Sequence, residues 1–304
     1  MINREKNMAG KLKGVFAASM SVFKADFSLD IEATIQHAKE NLDDKGVSTA
    51  FAGSTGAGAL ISLDEKKEFI KILSKKNFKE QILIGTALTS LKDTVSLMKH
   101  SIKFGFQNFL IMNCCYYKNE DAGVYKWYKN IINCVPESKI ILYNFSKLSG
   151  GYAFSSEVTK RLINDFPLNI VGMKDSTGNL WDNFKAENFS MFVGSEKKLA
   201  ENLSLGGAGS ISATSNFSGE LAKKVYEDCV KNGSSPENKK LQDIRTAFDE
   251  SGNLISALHT IKSIYNKAYA NLPPPLELLN SNKKKELIEK LKSLGVLNLK
   301  NIAA

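Results

Sequence analysis

A (β/α)8 TIM barrel with a C-terminal helical extension is the α/β fold class this sequence predicts. Three observations predict it. Eight short, β-rich apolar runs alternate with amphipathic segments over about 230 residues. The first seven runs are near-continuous, as in parallel strands covered on both faces, rather than strictly alternating. The open doubly wound sheet, the alternative, lacks its nucleotide fingerprint: Gly53, Gly56 and Gly58 give G-x-x-G-x-G, which is not the dinucleotide motif.

The expected strands are residues 12–19, 47–52, 81–86, 107–112, 139–143, 169–174, 190–194 and 209–214. Helical patterns fill the gaps. Leu29 to Leu42 carries apolar residues at helical spacing and stops before Gly46. Ser62-Leu-Asp-Glu65 opens a second helix with a capping box. Further helices are expected at 90–104, 119–133, 155–165, 197–204 and 217–231. The gap between 174 and 190 is short and leaves room for a helix of about two turns. Residues 236–296 read as three more helices, the last two broken apart by Leu272-Pro-Pro-Pro275. The organisation expected is a barrel domain over 1–230 and a helical extension over 231–304.

Composition narrows the function. Hydrophobic residues make up 43% and charged residues 24%, values of an ordinary soluble globular chain. Met1 to Gly10 holds no apolar core segment, and no stretch approaches the roughly 18 apolar residues of a membrane span, so the expected location is cytoplasmic with no membrane partner. The net charge of +9 is almost all lysine, set on helix faces among Glu and Asp. That pattern reads as solvated surface rather than a nucleic-acid patch, although a positive field would speed encounter with anionic substrates. Cys114, Cys115, Cys134 and Cys229 fit neither a zinc site nor a disulfide framework, and His37, His100 and His259 are far apart. The chemistry is therefore expected from Lys, Tyr, Ser and Thr.

Lys174 carries most of that expectation. It closes the apolar run Asn169-Ile-Val-Gly-Met-Lys174, while most other lysines lie in polar, helix-like surroundings. Burial disfavours the charged form of a lysine and frees an amine able to form a Schiff base with a carbonyl. The plain alternative is a lysine that snorkels from the strand end to water. The other strand ends tip the balance, because barrel active sites lie at the C-terminal ends of the strands. Those ends hold Gly53-Ser54-Thr55-Gly56, Cys114-Cys115-Tyr116-Tyr117, Tyr143-Asn144, Gly194-Ser195-Glu196 and Ser212-Ala213-Thr214. One lysine, several hydroxyls and tyrosines, few carboxylates and no histidine suit carbonyl chemistry through an imine. A phenol would shuttle protons and the Gly-Ser-Thr turn would offer donors to a carboxylate.

Gly53-Ser-Thr-Gly56, Tyr143-Asn144 and Gly172-Met-Lys174-Asp, in this order and spacing, resemble the dihydrodipicolinate synthase / N-acetylneuraminate lyase family of class I pyruvate aldolases. The resemblance runs from about Gly14 to Leu297, through the segment Gly206 to Asn216. It implies that Lys174 forms the Schiff base with pyruvate or another 2-oxo acid and that Tyr143 is the proton shuttle. Ser54 and Thr55, beside Gly53, would hold the carboxylate and relay protons. Gly194 and Ser212 would lie near the substrate pocket. Tyr117 looks like the tyrosine lent by a neighbouring subunit, which implies a homotetramer built as a dimer of dimers. The substrates implied are small molecules, pyruvate and an aldehyde, with no cofactor and no catalytic metal.

Two positions depart from the pattern. Ala57 replaces the family's usual glutamate. Leu148 stands five residues after Tyr143, where dihydrodipicolinate synthases carry an arginine for the second substrate's carboxylate. Lys147 is adjacent but lacks the planar bidentate fork. After strand seven, Ser195-Glu196-Lys197-Lys198 differs from the acidic pocket of sialic-acid lyases. Lys174-Asp175-Ser176 looks more like the 2-keto-3-deoxy sugar-acid aldolases of the family. The leading expectation is thus a lyase for such a sugar acid, with dihydrodipicolinate synthase second. A non-catalytic protein that binds 2-oxo acids is the third.

Overall fold

Apolar runs that must hide both faces need an inner core on one side and a layer of helices on the other. A closed barrel supplies both. The computed structural model describes residues 12–76 and 82–297. The segment Met1 to Gly10 and Gln81, the first residue of the third expected strand, lie outside these.

Eight parallel strands close into one barrel in sequence order: β1 (Gly14–Ala18), β2 (Ser48–Phe51), β3 (Ile82–Gly85), β4 (Asn108–Ile111), β5 (Lys139–Asn144), β6 (Ile170–Asp175), β7 (Ser190–Val193) and β8 (Gly209–Ser212). Six of the expected runs contain their strand, and β5 and β6 each run one residue past theirs, to Asn144 and Asp175. Closure is made by β8 against β1, with Gly14 opposite Gly209. A Cβ on Gly209 would lie 2.0 Å from the Gly14 carbonyl oxygen, so only glycine lets these two backbones meet.

Inside the barrel Phe16, Ala50, Leu83, Leu110, Ile141, Phe192 and Ile211 form one core. Outside it, alternate strand residues such as Phe51, Ile84, Phe109, Leu142 and Met173 pack under the helices. These are α1 (Ile31–Lys39), α2 (Leu63–Leu73), α3 (Leu91–Lys103), α4 (Asp121–Cys134), α5 (Ser156–Asp165), α6 (Leu199–Ser204) and α7 (Ser215–Asn232). The capping box read from Ser62 and Glu65 is present at α2, and the second Glu65 oxygen accepts from the Leu29 N–H at 2.8 Å. The carboxylate therefore caps one helix and ties down the loop before α1.

No helix follows β6, where two turns were expected; residues 176–189 run as turns and coil. The reason is the carboxylate of Asp175. It accepts from the N–H groups of Gly178, Leu180 and Trp181 at 2.9, 2.8 and 3.0 Å. Those donors are pulled back toward the strand end instead of entering a helical ladder.

After α7 come α8 (Asn238–Glu250), α9 (Leu254–Tyr265) and α10 (Ser281–Ser293), the three helices expected. They share a core with the barrel top, in which Met20, Val22 and Ala213 pack with Phe248, Leu258, Ile261 and Leu287. Among the described residues no helix is long and apolar enough to cross a membrane.

Candidate active site

Strand register assembles the centre of the site. Tyr143 on β5 lies directly opposite Lys174 on β6. Tyr143 belongs to the core inside the barrel, whereas Met173 lies in the layer under the helices, so strand alternation turns Lys174 inward. Both are 4% exposed. The Lys174 amine sits over the Tyr143 ring, 4.2 Å from its centre. No carboxylate pairs with that amine among the described residues.

From the end of β2, across the barrel mouth, the hydroxyl of Ser54 meets the phenol oxygen of Tyr143 at 3.0 Å. Ser54 lies on a tight turn closed by two backbone bonds, Ala57 N–H to the Ser54 carbonyl and Gly58 N–H to the Gly53 carbonyl, each 3.0 Å. Ala52 and Ala57 enter the left-handed region at φ 48° and 50°, a strained choice that holds the turn's shape. The N–H groups of Ser54 and Thr55 donate to no acceptor among the described residues. Successive free N–H groups on such a turn form a concavity suited to an anion. A side chain on Gly53 would meet nothing within 4 Å, so space opens beside these donors. Thr55 is buried next to them.

Other expected residues fall into distinct places. Gly194 follows β7, and a Cβ there would lie 1.9 Å from the Ser176 hydroxyl; glycine lets the chain pass the loop after Lys174. Ser212 is fully buried, and its hydroxyl donates to Glu196 while accepting from Arg245 at 2.9 Å. Its neighbour Ile211 belongs to the inner core, so the Ser212 side chain faces the helices instead. Tyr117 is 70% exposed and stacks edge-on against Tyr116 at 5.2 Å. Within one chain it makes no ring or hydrogen-bond contact with Lys174 or Tyr143. Lys147 and Leu148 share a 3-10 turn, both exposed.

Two groups of residues were given no individual role by the sequence reading. Asn144 and Asp175 are next-door neighbours of the two central residues. Asn144 donates to Asp175 at 2.9 Å and accepts from the Phe154 N–H at 3.1 Å. Together they fix the loops after β5 and β6. Glu196 and Arg245 form the second group. Arg245 reaches from α8 to the Glu196 carboxylate at 2.9 Å and to the Gly194 carbonyl at 3.5 Å, and its Nε donates to Asp249 at 2.8 Å. The helical extension thereby grips the barrel rim. Burial alone would raise the Glu196 carboxyl, but the Arg245 guanidinium and the Ser212 hydroxyl outweigh it and hold it below its ordinary value. The available signal was scarcity: the chain has only three arginines, Arg4, Arg161 and Arg245, and a lysine lacks the fork these contacts need.

Removing one partner of a buried pair strands the other charge. Arg245→Ala is expected to cost about 3–5 kcal/mol in chemical denaturation, and Glu196→Gln in the same chain to restore part of it. A loss below about 1 kcal/mol would mean that solvent already screens the pair. Because the Glu196 value is depressed, the pair's contribution holds above the ordinary carboxylate range and is lost as pH falls through the lowered value.

A TIM barrel with one buried lysine over a tyrosine at its mouth, and free N–H donors opposite, is built as a carbon–carbon lyase. The chain belongs to the dihydrodipicolinate synthetase family, whose sequence model matches residues 11–294. It is 33% identical to a 4-hydroxy-tetrahydrodipicolinate synthase of Pelagibacter ubique over 77% of this chain and 79% of that protein. It is 27% identical to a 2-dehydro-3-deoxy-D-gluconate/2-dehydro-3-deoxy-phosphogluconate aldolase of Picrophilus torridus over 58% of this chain and 66% of that one. In three dimensions it resembles YagE, an Escherichia coli K12 prophage protein of the same family crystallised in complex with pyruvate. That likeness has a TM-score of 0.82 at 20% identity, covering 94% of this chain and 99% of that one.

Proposed function

We propose that the chain is a pyruvate-dependent class I aldolase that cleaves or forms a 2-keto-3-deoxy sugar acid. The observation that carries this reading is the Lys174 amine over the Tyr143 ring, with the phenol on Ser54. The Lys174 nitrogen attacks the 2-oxo carbon and water leaves, giving a Schiff base. Gly53, Ser54 and Thr55 receive the carboxylate. In cleavage the C3–C4 bond breaks and its electrons pass through the imine to give the enamine. The C4 hydroxyl proton goes to Tyr143, with Ser54 and Thr55 as its relay. Protonation at C3 and hydrolysis then release pyruvate and the free amine. Imine chemistry of this kind needs neither a cofactor nor a metal.

Gly194 and Ser212 border the aldehyde end, Ser212 through its backbone because its hydroxyl is committed to Glu196 and Arg245. Tyr117, exposed in the single chain, reaches a neighbour's site in a homotetramer made as a dimer of dimers. The sugar-acid substrate is favoured by Leu148 at the arginine position and by the likeness to the Picrophilus aldolase. The synthase reading, condensing pyruvate with aspartate semialdehyde, is favoured by the likeness to the Pelagibacter protein.

A panel of aldehydes separates the two. With pyruvate present, glyceraldehyde is expected to condense at least about tenfold faster than aspartate semialdehyde, because an unpaired second carboxylate is rejected by a site without its partner. The opposite order would give the site to the synthase reaction. Pyruvate capture with no turnover of any aldehyde would leave only a binding protein.

A further inference from the structure

One buried cation has no part in the chemistry above. Lys66 on α2 is 2% exposed, and its ammonium donates to a single acceptor, the Thr86 carbonyl, at 2.8 Å. No carboxylate pairs with it among the described residues. The walls around it are Phe51 and Ala52 at the end of β2, Ile84 and Gly85 of β3, Phe69 and Ile70 of its own helix, and Leu97 of α3. A charge kept in such a wall is costly unless something negative answers it.

Its position indicates what answers it. Ala52 runs straight into Gly53-Ser54-Thr55. Gly85, one residue before the carbonyl that Lys66 holds, packs so closely under that turn that a Cβ there would lie 2.9 Å from the Gly53 nitrogen. Lys66 therefore shares a cavity with the residues that adjoin this turn, whose Ser54 and Thr55 N–H groups have no acceptor among the described residues. We propose that Lys66 is a positioning residue for the substrate: its ammonium, set behind the Gly53–Thr55 turn, supplies the positive field that holds the 2-oxo acid's carboxylate while Lys174 attacks. This rests on the reading of the site as one for a 2-oxo acid.

The field reaches across the turn because the intervening wall is apolar and of low dielectric. Among the described residues no other titratable group lines this cavity; the titratable side chain of α3 that meets α2 nearby is His100, whose Nε2 lies 2.9 Å from the Lys67 carbonyl. Glu65, its neighbour on α2, has its oxygens taken by Ser62 and the Leu29 N–H. Burial pushes the Lys66 amine down to about 8, so its charge is present below that pH and lost above it.

Borohydride trapping of pyruvate tests the proposal. The pyruvate concentration that half-saturates trapping, and the maximal trapping rate, are measured for the wild type, Lys66→Met and Lys66→Arg. At about pH 6.5, Lys66→Met is expected to raise half-saturation roughly tenfold with the maximal rate within about twofold. That ratio falls toward one by about pH 9.5, where the wild type has lost its own charge. Lys66→Arg stays near the wild type at low pH and binds more tightly than it at high pH, because arginine keeps its charge. A ratio that ignores pH, or a loss confined to the maximal rate, would make Lys66 a structural strut and overturn the proposal. If Lys66→Met does not fold, the comparison of Lys66→Arg with wild type across the same pH range decides alone. A wild type that forms no adduct on Lys174 removes the 2-oxo-acid reading and this proposal with it. An adduct whose affinity ignores residue 66 removes the proposal only.

Discussion

Lys174→Ala is expected to abolish turnover, by more than about 10^4-fold, because under the proposed mechanism it deletes the atom that bonds the substrate and not merely a group that assists it. Intact mass after incubation with pyruvate and borohydride, followed by peptide mapping, gives the direct measurement. The wild type should carry one pyruvate adduct, mapped to Lys174, and the variant none. Circular dichroism guards against the trivial explanation, since the lysine stem fills part of the wall beside Tyr143. Activity within about tenfold of wild type in a folded Lys174→Ala protein would mean that another nucleophile does the work.

Tyr143→Phe separates the phenol from the ring. The ring stacks near Phe145, with centres 6.0 Å apart, and lies beneath the Lys174 amine; phenylalanine keeps both contacts. Only the oxygen that meets Ser54 is lost. The expected result is a fall of about 10^2–10^3 in kcat with pyruvate still captured on Lys174, more slowly, as befits loss of a proton carrier. Stability should change by no more than about 1 kcal/mol, since a single neutral hydrogen bond is removed. A kcat within a few-fold of wild type would transfer the proton work to Ser54, Thr55 or water.

The barrel was legible because its signal is local. Each parallel strand must be apolar on both faces, so runs such as Ile140 to Tyr143 announce themselves without knowledge of their neighbours. The centre of the site was legible for a related reason. A lysine closing an apolar run, and a tyrosine at the end of the run before it, are visible as breaks in local pattern. What stayed hidden depends on distant partners. The missing helix after β6 is lost to one carboxylate that collects three N–H groups, and nothing in the spacing of residues 176–189 reveals that competition. Glu196 and Arg245 are separated by 49 residues, and neither alone announces the other. Lys66 sits in an ordinary amphipathic pattern, and only the packing of α2 on β2 and β3 turns it inward.

Lys174 and Asp175 stand side by side in the sequence, yet strand alternation sends them to opposite sides of the barrel wall. The first points into the barrel, over the Tyr143 ring, and the second to the loop it folds. A screen that scores only activity would rank both as essential and treat them as one motif. Their lesions differ in kind. A defect at Asp175 lies in architecture, open to repair by any change that re-forms the loop, whereas under the proposed mechanism nothing outside position 174 can return a bond-forming nitrogen. In the descent or redesign of such an enzyme the lysine is a fixed point, and its neighbour is where compensating change can accumulate.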